Sequence, residues 1–296
     1  MSELTLSILI ATKNGESSVR RLIASLAMDP IVKSEKVEII VLDDGSVPPI
    51  APLPVNKQLR NEQSAGVGAG RNKLAQMAGG RYYLILDDDV ELNDNTTLSR
   101  ALTLVQSFND QCMVAFCELD PEGNRHWLQP SSTTVRSWIA RFCGFAFLIP
   151  RDIWNKCGGF SEILFYQYEE VDMSYRILHH GYKIIYDPTL GIKHYRKLDP
   201  TQRARIHGWL LRNMIFTTVL RFPAALVPLN ILRYMFLYNK FAAGDGRLVK
   251  IKKIAWSFLE LMKHFPQLLK QRQSLPLRTL LKFRALQSNP EAIPNI

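Results

Sequence analysis

The sequence predicts an α/β fold, a mixed and mostly parallel sheet flanked by helices, followed by a helical C-terminal region. Short apolar runs alternate with segments of helical spacing through residues 4–86. Three of the runs end in polar or acidic groups. From Arg203 the pattern turns helical, and the charge changes sign: residues 193–296 hold 19 Lys/Arg against 4 Asp/Glu, leaving 18 against 23 in residues 1–192. The chain accordingly divides into a sheet domain at 1–200 and a basic, apolar helical region at 201–296.

Residues 4–11 read as a buried strand, with Leu4, Leu6, Ile8 and Ile10 alternating with Thr5, Ser7 and Leu9. Val19, Leu22, Ile23 and Leu26 recur at helical spacing and predict a helix over 17–28. Residues 37–42, apolar apart from Glu38, form a second strand that ends at Asp43-Asp44-Gly45-Ser46. The proline-rich stretch 48–54 is an irregular connection. Gly66-Val67-Gly68-Ala69-Gly70 reads as a turn before a short helix over 71–78. Residues 82–86 are a third strand and run into Asp87-Asp88-Asp89. Residues 144–149 form a strand stopped by Pro150. A tight turn at Gly158-Gly159-Phe160 follows, and Glu169-Glu170-Val171-Asp172 opens a helix that stops at Gly181. Residues 182–186 are another short strand, with His194 beyond it. Residues 214–220 and 224–238 are strongly apolar. Arg221, Pro223, Pro228 and Arg233 interrupt them, so no stretch reaches the roughly 20 residues of a spanning helix. Residues 250–271 read as a basic amphipathic helix with Ile251, Ile254, Phe258, Leu261 and Leu268 on or near one face. An inner-membrane surface, packing on the sheet domain and a homodimer interface all suit such a region.

With 296 residues, 47% of them hydrophobic and 22% charged, the chain has an ordinary globular composition. Cys112, Cys117, Cys143 and Cys157 form no CxxC pair and no zinc spacing, which favours buried thiols in a reducing compartment. The N-terminus carries no basic, apolar leader, so the expected setting is cytoplasmic or peripheral on the cytoplasmic face of a membrane.

In α/β sheets ligands bind beyond the carboxyl ends of the strands. Here those ends are Thr12-Lys13-Asn14, Asp43-Asp44 and Asp87-Asp88-Asp89. A buried strand that ends in acids delivers concentrated negative charge to one sheet edge. Hard oxygen ligands suit Mg²⁺ or Mn²⁺, which an enzyme handling a nucleotide diphosphate requires. Taken alone, the same acids serve a solvated turn equally well; the convergence of several polar strand ends weighs against that reading. The macrodipole explains one acid at the head of a helix more easily than Glu169, Glu170 and Asp172 together. The glycines at 66–70 are not a dinucleotide fingerprint, because Arg71 stands where a further glycine is needed and the run does not follow the first strand. They still allow backbone to approach phosphate, and Arg71 heads a helix whose N–H groups favour anions.

The order Thr12-Lys13-Asn14, Asp43-Asp44-Gly45-Ser46, Gly66 to Arg71-Asn72, Leu86-Asp87-Asp88-Asp89, Gly158-Gly159-Phe160 and Glu169-Glu170-Val171-Asp172 resembles the family 2 glycosyltransferases of the GT-A fold over roughly residues 4–200. The later region is similar to that of bacterial members that build surface polysaccharides. The resemblance implies an inverting, metal-dependent transfer of a sugar from a UDP- or dTDP-sugar to a glycan or lipid-linked glycan acceptor. Thr12, Asn14 and Asp44 would line the nucleotide pocket, with Asp44 accepting a pyrimidine N3–H. Arg71 would lie near the nucleotide. Asp87 and Asp89 stand at the DxD positions, with Asp89 the direct ligand of Mg²⁺ or Mn²⁺, and Asp88 would face the ribose or the metal's water. His194 resembles a late histidine near the diphosphate or metal. Glu170 takes the place of the family's general-base aspartate, with Glu169 beside it, and Asp172 matches the next acid, which orients the helix or the acceptor.

A sugar-1-phosphate nucleotidyltransferase would carry a glycine- and arginine-rich loop after the first strand, where Thr12-Lys13-Asn14-Gly15-Glu16 stands. A nucleic-acid-binding role would rest on the basic tail, which has no reading motif, so no nucleic-acid partner is expected. Donor sugar and acceptor are set by the surroundings of Trp127, Trp138, residues 144–147 and residues 165–168.

Overall fold

The computed structural model describes residues 4–34, 36–126, 129–196, 200–242 and 244–294, with 200–205 and 241 as backbone alone. Trp127 lies outside the described residues. The central strand β1 (Leu6–Thr12) runs parallel to its neighbours β2 (Val37–Asp44) and β4 (Tyr82–Asp87). An edge strand, β3 (Lys57–Asn61), continues the parallel set beside β2. On the other side β8 (Ala146–Pro150) pairs antiparallel with β4 and with β6 (Cys112–Leu119). The long β9 (Lys183–His194) lies parallel to β6, and β5 (Val90–Leu92) and β7 (Ser137–Trp138) run against it. A final short strand, β10 (Glu291–Ala292), pairs with β7 and returns the C-terminal region to the sheet. By strand direction the sheet is mixed and mostly parallel, as the sequence predicts.

Helices cover both faces. Leu6, Ile8 and Ile10 of β1 face α1 (Glu16–Leu26) and α3 (Thr97–Ser107) through Val19, Leu22, Leu98 and Val105. The opposite face, with Leu9, Ile40, Tyr83 and Ile85, meets α2 (Val67–Met77), α4 (Arg151–Cys157) and α5 (Glu169–His179) through Leu74, Trp154 and Ile177. Burial on both faces explains why β1, β2 and β4 read as nearly continuous apolar runs. Because the strands are parallel and in register, Thr12 sits beside Asp43 and Ala11 beside Asp87, so their polar ends share one edge. The pairing of β5 with β9 sets His194 opposite Val90, next to the exit of β4.

Several boundaries differ from the sequence reading. The expected turn at 66–70 is the first turn of α2, which puts Arg71 in its second turn. A Cβ on Gly68 would lie 3.2 Å from Phe160, and one on Gly70 would lie 3.4 Å from Leu42. These glycines therefore serve close helix packing, and only Gly66, at φ 93°, makes a turn. Residues 151–157 form α4, and the turn begins at Gly158. Trp138 packs against Phe108, ring centroids 4.8 Å apart, rather than beside the acids.

The C-terminal region forms α6 (Pro200–Arg221), α7 (Val227–Phe241), α8 (Arg247–Gln271) and α9 (Leu277–Ser288). Arg233 lies inside α7 instead of interrupting it. The helices α7 and α8 pack on α6, and α9 packs on α5, where Tyr175 stacks on Phe283 at 4.1 Å. Packing on the sheet domain is thus one task of this region. Among the described residues no helix is long and apolar enough to cross a membrane.

Candidate active site

Asp87 and Asp89 leave β4 on the edge reached by the end of β9, and one ligand atom from each lies within 4.8 Å of the other and of a His194 nitrogen. His194 Nε2 is 3.1 Å from Asp89 Oδ1, and Nδ1 is 2.9 Å from Glu118 Oε1. The ring is buried and stacks on Phe145 at 5.2 Å. Burial works against its charge, but the Asp89 and Glu118 carboxylates outweigh it and raise the imidazole pKa to about 9. Two carboxylates and an imidazole form a hard-to-borderline donor set that fits Mg²⁺ or Mn²⁺. Glu118 would fix the ring orientation, as a carboxylate behind a metal-bound histidine does. It is itself buried and bonded by Arg196 Nε at 2.5 Å.

Asp88 turns the other way. It accepts a hydrogen bond from the Thr12 hydroxyl, which ties the end of β1 to the end of β4. Burial, with Asp89 and Asp87 adding to it, pushes its carboxyl up to about 7. A Cβ at Gly15 would come within 2.0 Å of Asp88 Oδ2, so only glycine leaves room for this link. Asn14 is exposed. Its N–H donates to Ser46 Oγ at 2.8 Å and its Oδ1 accepts from Val47 N–H at 2.9 Å, which joins the β1 and β2 loops. Asp44 accepts from Asn61 Nδ2 at 2.7 Å, Ser64 Oγ at 2.7 Å, Ala65 N–H at 3.0 Å and Gly66 N–H at 3.3 Å. A carboxylate offers about four acceptor positions. Asp44 thus spends them on the 61–66 loop that leads into α2.

The bridge between the Asp87–Asp89–His194 group and the glutamates is Arg71. Its buried guanidinium donates to Asp87 Oδ1 at 2.7 Å and to the Gly144 carbonyl at 2.7 Å, and it lies 3.4 Å from Glu169 Oε1. Glu169 is buried, and its Oε2 has no hydrogen-bond partner among the described residues. Burial and the neighbouring Glu170 push its carboxyl up to about 8. Glu170 is half-buried, and burial raises its pKa as well, against the pull of Arg141 and Arg71.

Both glutamates head α5 behind a loop with unusual backbone. Phe165, Gln167 and Tyr168 have φ of 52°, 69° and 73°. Such angles in non-glycine residues concentrate at functional sites. Asn213 of α6, fully buried, holds this loop: Nδ2 donates to the carbonyls of Leu164, Tyr166 and Gln167 at 2.6, 2.7 and 2.6 Å. Arg212 adds a hydrogen bond to the Ile163 carbonyl at 3.0 Å. Asp172, expected beside the catalytic acids, is instead enclosed. It accepts from Arg221 Nε at 2.6 Å, Arg176 Nη2 at 2.8 Å and Ser161 Oγ at 2.7 Å. Burial opposes ionisation, yet the two guanidiniums hold its carboxyl well below the usual range. No acceptor position is left for a substrate proton.

Sequence reasoning misses Glu118, Arg196 and Asn213. Glu118 closes the apolar run 112–117, the same signal that draws attention to Asp87. Asn213 carries no such signal, since a lone asparagine in a helical pattern shows its partners only in three dimensions.

The family described as Glycosyl transferase family 2 matches residues 7–171, more than half of the chain. Among solved structures, the chain is similar to S. aureus TarS 1-349 in complex with UDP-GlcNAc: 15% identity over 96% of this chain and 88% of that chain, TM-score 0.62. It is also similar to GalNAc-T7 with UDP, GalNAc and Mn²⁺, at 20% identity over 75% of this chain and TM-score 0.59, and spans about half (49%) of that chain. A third is mannosyltransferase PcManGT from Pyrobaculum calidifontis in complex with GDP-Man and Mn²⁺, at 13% identity over 96% of this chain and 87% of that chain, TM-score 0.54. No curated protein matches the chain. At such identities the structural likeness carries the fold, which is GT-A. With the match across its sheet domain, the chain belongs to glycosyl transferase family 2.

Proposed function

We propose that the chain is an inverting, metal-dependent glycosyltransferase that moves a sugar from a UDP- or dTDP-sugar to a hydroxyl of a glycan or lipid-linked glycan, in the synthesis of a bacterial cell-surface polysaccharide. The observation that carries this reading is the Arg71 bridge, which joins the Asp87 end of a metal-type donor set to the glutamates at the head of α5. Asp87, Asp89 and His194 would hold Mg²⁺ or Mn²⁺, which, when bound, neutralises charge on the diphosphate leaving group. Thr12, Asn14 and the 61–66 loop held by Asp44 line the nucleotide side. Arg71 keeps Asp87 turned toward the metal group and adds positive charge where the leaving group accumulates negative charge.

Glu170 is the base. It is the less buried of the two glutamates, so an acceptor hydroxyl can reach it, and its raised pKa makes it a better proton acceptor than an ordinary glutamate. The hydroxyl loses its proton to Glu170 and attacks the anomeric carbon opposite the diphosphate. A single displacement inverts that centre. Glu169 anchors Arg71, and Asp172 belongs to the scaffold of α5. A thermal-shift screen of UDP-, dTDP- and GDP-sugars, each with and without Mn²⁺ or Mg²⁺, tests the reading. Metal-dependent stabilisation by a UDP- or dTDP-sugar supports it, and stabilisation by none of the sugars contradicts it.

A further inference from the structure

Among the described residues, one face of α8 has nothing to pack against. Ser257 and Leu268 are buried on the side toward α6, where Leu268 meets Phe216, Val219 and Leu220. Ile254 and Leu261 are partly buried on that side as well. The sequence expectation of one apolar face from Ile251 to Leu268 is therefore split in two. On the outward side Leu248, Ile251, Ala255, Leu259, Met262 and Leu269 follow at helical intervals and form a single exposed stripe. Leu248, Leu259 and Met262 are 73%, 69% and 74% exposed. Lys252, Lys263 and Lys270 form an exposed row beside it. The one acid of α8, Glu260, lies away from the stripe and pairs with Arg212 at 3.3 Å. On α7, Leu229, Leu232 and Phe236 repeat the pattern of exposed apolar side chains on one helix face.

Soluble chains seldom leave so long an apolar row in water. A lysine row along an apolar stripe is the pattern of a helix lying in a membrane interface, where the lysine stems cover apolar surface and the ammonium groups reach the headgroups. A second copy of the same face would bring another lysine row and no acid to answer it. We infer that the outward face of α8 docks on an anionic lipid bilayer, its apolar stripe at the acyl boundary and Lys252, Lys263 and Lys270 among the headgroups. The excess of 19 Lys/Arg over 4 Asp/Glu in residues 193–296 adds attraction to such a surface.

Co-sedimentation of the full chain with phosphatidylcholine vesicles, with and without phosphatidylglycerol, tests the inference. The chain binds the phosphatidylglycerol vesicles, and at least about tenfold more weakly the neutral ones or either kind in high salt. The double substitution Leu259→Ser with Met262→Ser, and separately the triple charge reversal Lys252→Glu, Lys263→Glu and Lys270→Glu, each lowers affinity by at least about tenfold. All these side chains are exposed, so the melting temperature stays unchanged. Absence of binding to anionic vesicles, or binding indifferent to both sets of substitutions, overturns the inference. So does sedimentation of a dimer that the apolar substitutions dissociate while vesicles capture nothing, an outcome that assigns the face to a second copy.

Discussion

Replacing Asn213 by alanine removes the amide that holds the loop in front of α5. The carbonyls of Tyr166 and Gln167 lose this donor together, while that of Leu164 keeps the Tyr166 N–H. An unmet buried acceptor costs about 1–3 kcal/mol, so a loop that kept its shape would cost the protein roughly 2–6 kcal/mol for the two carbonyls. The same loop stores strain in Phe165, Gln167 and Tyr168, at about 1–3 kcal/mol each. The two quantities are of similar size, and strain released by relaxation offsets the lost hydrogen bonds. The loop therefore relaxes. Net destabilisation stays at about 1–3 kcal/mol, a fall of a few degrees in Tm for a chain of this size. Activity bears the larger loss, because the loop sets the start of α5 and hence the position of Glu170. A displacement of about 1 Å in a reacting group costs on the order of a hundredfold in rate. The nucleotide side is built on β1, β2 and the 61–66 loop and meets the loop in front of α5 at Phe165, whose carbonyl accepts from Val67 N–H at 2.9 Å, so donor affinity falls by much less than kcat. Steady-state release of nucleoside diphosphate gives kcat and donor KM, and thermal melting gives stability. A kcat within about threefold of wild type, in a variant that is folded, would show that the loop does not position Glu170. Parallel loss of kcat and donor affinity would contradict that role too.

Arg221→Met breaks one arm of the buried Asp172 cluster and costs about 3 kcal/mol by denaturant titration, with Arg176 keeping the carboxylate partly paired. Asp172 has a lowered pKa, so its contribution to stability is full above the ordinary aspartate value and is lost as pH falls below it. The Asp172→Asn variant should therefore show a flatter loss of stability below about pH 4 than wild type. Glu118→Gln weakens Mn²⁺ binding by about 10- to 100-fold in calorimetry, and unchanged affinity would remove His194 from the ligand set. The base must be deprotonated to act, so kcat/KM falls as pH drops through the raised pKa of Glu170. An acid limb at or below the ordinary glutamate value of 4.5 argues for a different base.

The sheet was legible because β1, β2 and β4 are buried on both faces and end in polar groups on one edge. The short strands β3, β5, β7 and β10 leave no comparable pattern; neighbours in space make them strands. Glycine composition misleads at α2, where Gly68 and Gly70 answer to the crowding of Phe160 and Leu42 rather than to a turn. The identities of the acids could be read from sequence, but their division of labour could not. Asp88 and Asp89 are adjacent, yet one bonds Thr12 and the other faces His194. Glu170 and Asp172 are two residues apart, yet a helix turns one toward open space and the other onto Arg176 and Arg221. The amphipathic pattern of α8 was visible, but which of its apolar residues pack inward depends on where α6 lies.

In the proposed mechanism the metal-holding acids and the base are separate groups. Comparing Asp89→Ala with Glu170→Gln in two assays, sugar transfer and Mn²⁺-dependent binding of the nucleoside diphosphate, separates them. Both substitutions should abolish transfer, and only Asp89→Ala should also weaken binding. Full transfer by Glu170→Gln, or metal-dependent binding unchanged in Asp89→Ala, would contradict the account.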